Sequence, residues 1–273
     1  MDPISLLTSA VLFVFGLIIG SFLNVVIFRA NTGMSVAKGR SACFSCGKTL
    51  EWYEIIPLAS FLMQRGACRK CGSKISWQYP VVELAGGLAF VAAYAVVPSA
   101  FSGPWTAFAV FALSAALLCL YIVIVAYDLR HKIIPDLFSY SAALVALGLF
   151  GISSLTSGAI DPFRAVAGPT LFLFFWFFWY VSRGRWMGLG DGKLALSVGW
   201  ALGLSPGIAA LLMSFWIGAI VSLLVMGFQS VFSKKRRLGL KSAIPFGPFL
   251  VLGFLIAFLW HADIQGILSY LAL

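Results

Sequence analysis

The chain has 273 residues, 61% of them hydrophobic and only 10% charged, with a mean hydropathy of +1.00. Its apolar runs are far longer than a soluble core needs, which excludes a globular enzyme on a single anchor and makes the chain a polytopic membrane protein. The net charge of +10 sits in short loops between apolar runs, a distribution that serves membrane topology and not nucleic-acid binding.

A membrane helix needs about 20 apolar residues. Eight candidate spans follow in chain order: Ile4–Phe28, Val81–Val97, Trp105–Ala126, Leu137–Ile152, Ala165–Val181, Leu194–Leu204, Gly207–Phe228 and Pro245–Trp260. The first lacks a basic leading segment and a small-residue cleavage site, so it reads as a retained span. Gly16 and Gly20 within it form a Gly-x-x-x-Gly pair, a sign of close helix packing. The sixth is short enough to be tilted or partly re-entrant. The expected fold is all-α and polytopic, about eight transmembrane helices with a small four-cysteine loop domain. Its parts are a first helix (1–28), a zinc-binding loop domain (29–80) and a seven-helix membrane core (81–273).

Charge sets the orientation. Arg29, Lys38, Arg40, Lys48, Arg65, Arg69, Lys70 and Lys74 lie in the first loop, and Arg130 and Lys132 in the third. Arg183, Arg185 and Lys193 lie in the fifth, and Lys234, Lys235, Arg236, Arg237 and Lys241 in the seventh. Only Arg164 falls on the other side, so those four loops are expected in the cytoplasm and both termini outside. The cluster Lys234 to Arg237 is read as a topology signal. Asp2, Asp161 and Asp263 fall on the outer side. Glu51, Glu54, Glu83, Asp128, Asp136 and Asp191 lie in cytoplasmic loops or at cytoplasmic ends of spans.

The first loop reads Cys43-Phe-Ser-Cys46-Gly and, after 21 intervening residues from Gly47, Cys68-Arg-Lys-Cys71-Gly. Two Cys-x-x-Cys pairs at this separation suit one tetrahedral four-thiolate zinc ion, and the glycine after each second cysteine permits the tight turn. With all four positions taken by cysteine the metal is structural, not catalytic. Cys119, alone in an apolar run, reads as a small buried hydrophobe.

Ionisable groups near membrane depth mark sites by default. Asp191 stands among three glycines in Trp186-Met-Gly-Leu-Gly-Asp-Gly-Lys193, with apolar runs on both sides. Asp128 and Asp136 bound the segment Asp-Leu-Arg-His-Lys-Ile-Ile-Pro-Asp, in which Pro135 should end or kink a helix. Were the segment helical, these two would lie about 12 Å apart along the axis. A proton-sharing carboxylate pair is therefore more readily formed between elements, as Asp128 with Asp191 or Asp136 with Asp191. Such a pair needs no metal and no nucleophilic Ser or Cys to cleave a peptide bond. Histidine-based designs find no support, because His131 is placed in a loop and His261 outside. Each acid also has a plainer reading: Asp136 as the N-cap of the fourth span, Asp191 as a cap of the sixth, Asp128 as a loop ion pair with Arg130 or Lys132, and Glu83 as a helix cap or dipole partner. A proton-coupled transporter is disfavoured because neither acid is at mid-span and no internal repeat is present. A thiol oxidoreductase is the third class that the cysteine pairs allow.

Several motifs stand in a set order. Gly20-Ser-Phe-Leu-Asn-Val-Val-Ile-Phe-Arg29 leaves the first span, and the double cysteine loop follows, with Ile56-Pro57 and Arg65-Gly66 between its pairs. Then come Ile75-Ser-Trp-Gln-Tyr-Pro-Val-Val-Glu83-Leu84, Asp128-x6-Pro135-Asp136, Gly188-Leu-Gly-Asp-Gly-Lys193 and Ile244-Pro-Phe-Gly-Pro248. In these the chain resembles the bacterial type IV prepilin leader peptidases, bifunctional membrane aspartyl peptidases and N-methyltransferases. The resemblance implies Asp128 and Asp191 as catalytic aspartates and Cys43, Cys46, Cys68 and Cys71 as zinc ligands. It implies prepilin or pseudopilin substrates of type IV pilus or type II secretion systems, cut after a short basic leader at the cytoplasmic face of the inner membrane. S-adenosylmethionine as methyl donor follows from the resemblance alone, and Glu83 is the one candidate for methyl transfer or substrate contact. Many members carry Asp-Asn before the Ile-Pro, where this chain has Tyr53-Glu54-Ile55.

Overall fold

Where backbone amides find no water they must bond within their own segment, so the apolar runs fold as helices. A computed structural model describes residues 3–97, 103–232 and 244–260. Among them the only β pairing is two isolated antiparallel bridges, Ala42 with Thr49 and Ala67 with Lys74. The Lys234–Arg237 cluster, Lys241, His261, Asp2 and Asp263 lie outside the described residues.

The chain divides into two compact units, residues 1–97 and 98–273. In the first, α1 (Pro3–Arg29) packs on α3 (Gln78–Ala95), and the short α2 (Ala59–Met63) and a 3-10 turn at Trp52–Glu54 lie in the loop between them. The glycine pair expected to permit close packing does so. A Cβ on Gly16 would lie 2.5 Å from the Gly86 carbonyl oxygen, and one on Gly20 would lie 2.7 Å from Glu83 Cα. The two backbones therefore touch, and no larger residue fits either place.

The second unit holds α4 (Pro104–His131), α5 (Asp136–Ser157), α6 (Pro162–Ser182), α7 (Leu189–Leu202), α8 (Leu204–Phe232) and α9 (Gly247–Trp260). Proline opens α4 and α6, where its missing N–H is not needed. Asp161 caps α6, its carboxylate accepting the Phe163 amide at 2.9 Å. α6 and α7 meet backbone to backbone at Gly199, whose Cβ would lie 2.5 Å from Gly168 N. Tyr121, Phe175, Leu194, Leu250 and Phe254 are fully buried among these helices.

Helices occupy all eight expected stretches. Five of them (α1, α4, α5, α6 and α8) are long and apolar enough to cross a bilayer. α7 and α9 have 14 residues each, and α3 opens with the polar Gln78-Tyr79-Pro80 and carries Glu83. Three boundaries differ from the sequence reading, each where chemistry concentrates. α4 continues to His131, so Asp128 is a helix residue and not a loop residue. α7 begins at Leu189, so Asp191 sits in a first helical turn and not in open backbone. α5 has Pro135 and not Asp136 as its N-cap. Apolar runs locate a helix core, but polar residues at a water-facing end stay helical wherever their amides find acceptors.

Candidate active site

α4 ends where Lys132 turns left-handed (φ 56°) and its N–H bonds the Asp128 carbonyl oxygen at 2.7 Å. This turn leaves Asp128 in the last helical turns, 4% exposed. Its Oδ2 accepts the backbone N–H of Gly247 at 3.1 Å, a residue 119 positions later at the start of α9. The Ile-Pro-Phe-Gly-Pro motif, to which sequence reasoning assigned no role, thus supplies a fixed donor to the acid. A Cβ at Gly247 would lie 2.7 Å from Asp128 Oδ2, so glycine is required by the close approach.

Asp191 is half-buried in the first turn of α7. Its Oδ2 leans back over Gly188, the N-cap residue three positions earlier, 3.5 Å from where a Cβ on that residue would stand. Asp191 is thus the third helical residue and not the cap itself. Asp128 stands close enough for its charge to act on Asp191. Ile134 wedges between their supports: a Cβ on Gly190 would lie 3.0 Å from Ile134 Cβ, and one on Gly247 would lie 3.3 Å from Ile134 Cδ1.

Asp136 takes a different partner. Its Oδ1 lies 2.6 Å from Lys193 Nζ, and that ammonium stands 5.2 Å from the centre of the Tyr140 ring. Of the two acids open as partners of Asp191, Asp136 is taken by Lys193, and the charge of Asp128 is the one that acts on Asp191.

In the first unit the four cysteine sulfurs Cys43, Cys46, Cys68 and Cys71 all lie within 4.8 Å of one another. Tetrahedral zinc with bonds of about 2.3 Å places sulfurs about 3.8 Å apart. The Cys43 and Cys71 sulfurs are at 3.8 Å. The two half-sites repeat one turn. Gly47 N bonds Cys43 O at 2.9 Å and Gly72 N bonds Cys68 O at 2.8 Å, with Gly47 and Gly72 left-handed at φ 69° and 70°. The Ser73 hydroxyl, with the backbone at Cys46 and Ser45, pulls the Cys43 thiol down to about 6, while burial and the neighbouring thiols push Cys46 up to about 11. The cluster can hold a metal ion.

Glu54, in the departure from the family pattern, is buried. Its carboxylate accepts the Glu51 N–H at 3.0 Å and pairs with Lys48 at 2.8 Å. The amide first, then the ammonium, hold it below the ordinary carboxylate range. Glu83 is neither cap nor dipole partner. It is 7% exposed, and its Oε2 accepts the Leu58 N–H at 2.8 Å. Leu58 sits at φ 57°, ψ −50°, inside a turn closed by Ala59 N to Pro57 O at 2.6 Å. A leucine in that region is strained, and the carboxylate holds it there.

Residues 14–97 match the model of the bacterial Peptidase A24 N-terminal domain, and residues 115–223 match that of the type IV leader peptidase family. The chain is 33% identical to a prepilin leader peptidase/N-methyltransferase of Xanthomonas campestris pv. campestris, covering 94% of this chain and 93% of that one. It is 32% identical to a protein of the same description from Bacillus subtilis, over 97% and 99% of the two chains. A type 4 prepilin-like proteins leader peptide-processing enzyme of Escherichia coli O78:H11 is 34% identical, over 87% and 88%. No solved structure matches.

Proposed function

Because the chain belongs to the type IV leader peptidase family, we propose that it cleaves the basic leader from prepilins or pseudopilins with Asp128 and Asp191. It then methylates the new amino terminus. The observation that carries the peptidase reading is that Asp128, held by the Gly247 amide, and Asp191, beside Gly188 and Gly190, stand at two helix ends whose glycines pack on the same residue, Ile134. The pair shares one proton. The ionised carboxylate takes a proton from water as the water oxygen attacks the peptide carbonyl carbon. The protonated one donates to the carbonyl oxygen. Collapse of the tetrahedral intermediate breaks the C–N bond, and the leaving amine takes a proton from the pair. Glycines around the acids let an extended peptide backbone come close.

The fold we propose for this activity has eight spans, with the shorter α3, α7 and α9 also crossing or entering the bilayer. Both termini face outward, and the 29–80 loop domain and the acids face the cytoplasm of a bacterial inner membrane. A basic leader then stays inside while the apolar helix of the substrate lies in the membrane. Zinc, held by Cys43, Cys46, Cys68 and Cys71, orders the loop and takes no part in the cleavage.

Methyl transfer is supported by the relatives' names. When bound, S-adenosylmethionine would supply an electrophilic methyl group to the neutral terminal amine, leaving as S-adenosylhomocysteine while the methylated amine loses a proton. The first unit has polar groups that suit such a donor: Asn24 Oδ1 and Gln78 Nε2 are buried without a hydrogen-bond partner. Both lie one to two helical turns from Glu83 along the α1–α3 packing. A carboxylate, an acceptor and a donor together match the charged amino-acid portion of the molecule.

The test is cleavage of a defined prepilin by the purified protein, with and without S-adenosylmethionine, the product's amino terminus being read by mass. Asp128→Asn and Asp191→Asn should each lower cleavage by at least about 10²-fold while the protein still inserts. Normal cleavage by either variant would sink the pair.

A further inference from the structure

Asp128 and Asp191 stand on α4 and α7, which meet through the buried Tyr121–Ser197 hydrogen bond at 2.8 Å and are otherwise bridged by α5 and α9. That bond lies about two turns from each acid, so at the helix ends that carry the carboxylates their separation depends on what fastens the α4–α5 turn to the start of α7. Two contacts do this. Ile134, 7% exposed, is wedged against Gly190, and Lys193 reaches across to Asp136 at 2.6 Å, joining the second turn of α7 to the first turn of α5. Tyr140, one turn after Asp136, presents its ring to the same ammonium.

The placement of Lys193 calls for a reason. It is the fifth residue of α7, still near the positive end of the helix dipole, which a cation opposes. It is retained two residues after Asp191 with its side chain only 14% exposed, while its partner carboxylate is 66% exposed. An ion pair so close to water adds little to stability, so its consequence is geometric.

We propose that Lys193 and Asp136 are positioning residues, a clamp that sets the distance between Asp128 and Asp191. The inference rests on the peptidase reading of those two acids. Neither clamp residue touches the substrate. With the clamp open, the α4–α5 turn slides on α7 and the carboxylates separate. Their mutual repulsion then weakens, the two apparent pKa values of the pair converge, and the pH range over which the pair holds one proton narrows.

The experiment is steady-state cleavage of a prepilin peptide by the full-length, zinc-loaded protein across the pH range. The variants are Lys193→Met, Asp136→Asn, Lys193→Arg and the exchanged pair Asp136→Lys with Lys193→Asp, with Asp128→Asn alongside. Lys193→Met and Asp136→Asn should each lose about tenfold to hundredfold in kcat, the scale of an ångström of misplacement. KM should stay within about threefold, since uniform binding is untouched. The bell-shaped profile should narrow, and thermal midpoints should remain close to the parent's. Lys193→Arg and the exchanged pair should recover most of the lost rate and width.

Unchanged kcat in Lys193→Met overturns the clamp. So does a loss that the exchanged pair does not restore, which would make one residue act alone, or a rise confined to KM, which would make Lys193 a substrate contact. A fall in thermal midpoint with an unaltered profile width also overturns it. If Asp128→Asn cleaves normally, the carboxylate-pair reading itself has failed. If Asp128→Asn is inactive while Lys193→Met is not, only the clamp has.

Discussion

At the scale of single residues, the candidate site depends on where side chains are missing. Gly247 gives its N–H to Asp128 and leaves no room for a Cβ, which would lie 2.7 Å from the carboxylate oxygen. Gly247→Ala should therefore push α9 or Asp128 aside. Leader cleavage should fall by about 10²-fold, with the protein still folded, as measured by kcat on a prepilin peptide. Asp191 was legible in the sequence because a carboxylate among glycines beside apolar runs is rare at that depth. Gly247 was not, because its role exists only through a bond spanning 119 positions. Asp136 misled for a related reason. A Pro-Asp pair at a helix start carries a local capping signal, while its actual partner, Lys193, is 57 positions away.

At the scale of elements, the loop between α1 and α3 folds on two repeated cysteine turns and one buried carboxylate. The Glu54 carboxylate titrates below its ordinary value of 4.5, because the Glu51 amide and Lys48 stabilise the charged form. A depressed carboxylate contributes stability above its unfolded value that is lost as pH falls through the lower folded one. Glu54→Gln should therefore raise amide exchange around residues 48–55 in zinc-loaded protein at neutral pH. The difference from the parent should vanish as the pH falls through the folded value of Glu54. Metal removal should act on the same loop more widely. Chelation, or Cys43→Ser, should increase exchange across both cysteine turns, and metal analysis of the parent should find one zinc per chain.

Arg164 shows the other end of the second unit in the same terms. It was the single basic residue on the wrong side of an otherwise one-sided charge distribution. Its guanidinium donates to the Ala201 carbonyl at 2.8 Å, the Trp200 carbonyl at 3.4 Å and the Ser153 hydroxyl at 2.8 Å. It thus closes the C-terminus of α7, the helix whose N-terminus carries Asp191, and its positive charge suits that end of the helix dipole. Arg164→Met leaves half-buried carbonyls without a donor, a loss of about 1–3 kcal/mol. The thermal midpoint in detergent should fall accordingly, while the pH profile of cleavage keeps its width.

At the scale of the whole molecule, composition and the order of motifs already determined an all-helical membrane protein with a four-cysteine loop. Those properties rest on local chemistry: runs of apolar residues, the spacing of Cys-x-x-Cys, and glycines after each pair. The eight helical stretches are all present, yet only five are long and apolar enough to span by themselves. The short helices, α7 and α9, carry the start and the support of the candidate site, where polar residues and glycines interrupt the apolar pattern that marks a span. What only the tertiary structure decided is which partner the acids take: Gly247 for Asp128 and Lys193 for Asp136. By spacing alone Asp128 and Asp136 were both open as partners of Asp191, and only the resemblance favoured Asp128, since spacing along the chain says nothing about register between helices. The Gly247–Asp128 hydrogen bond, the Ile134 wedge against Gly190 and the Lys193–Asp136 ion pair fix the register of these helix ends, because each is a contact between elements that no local pattern encodes.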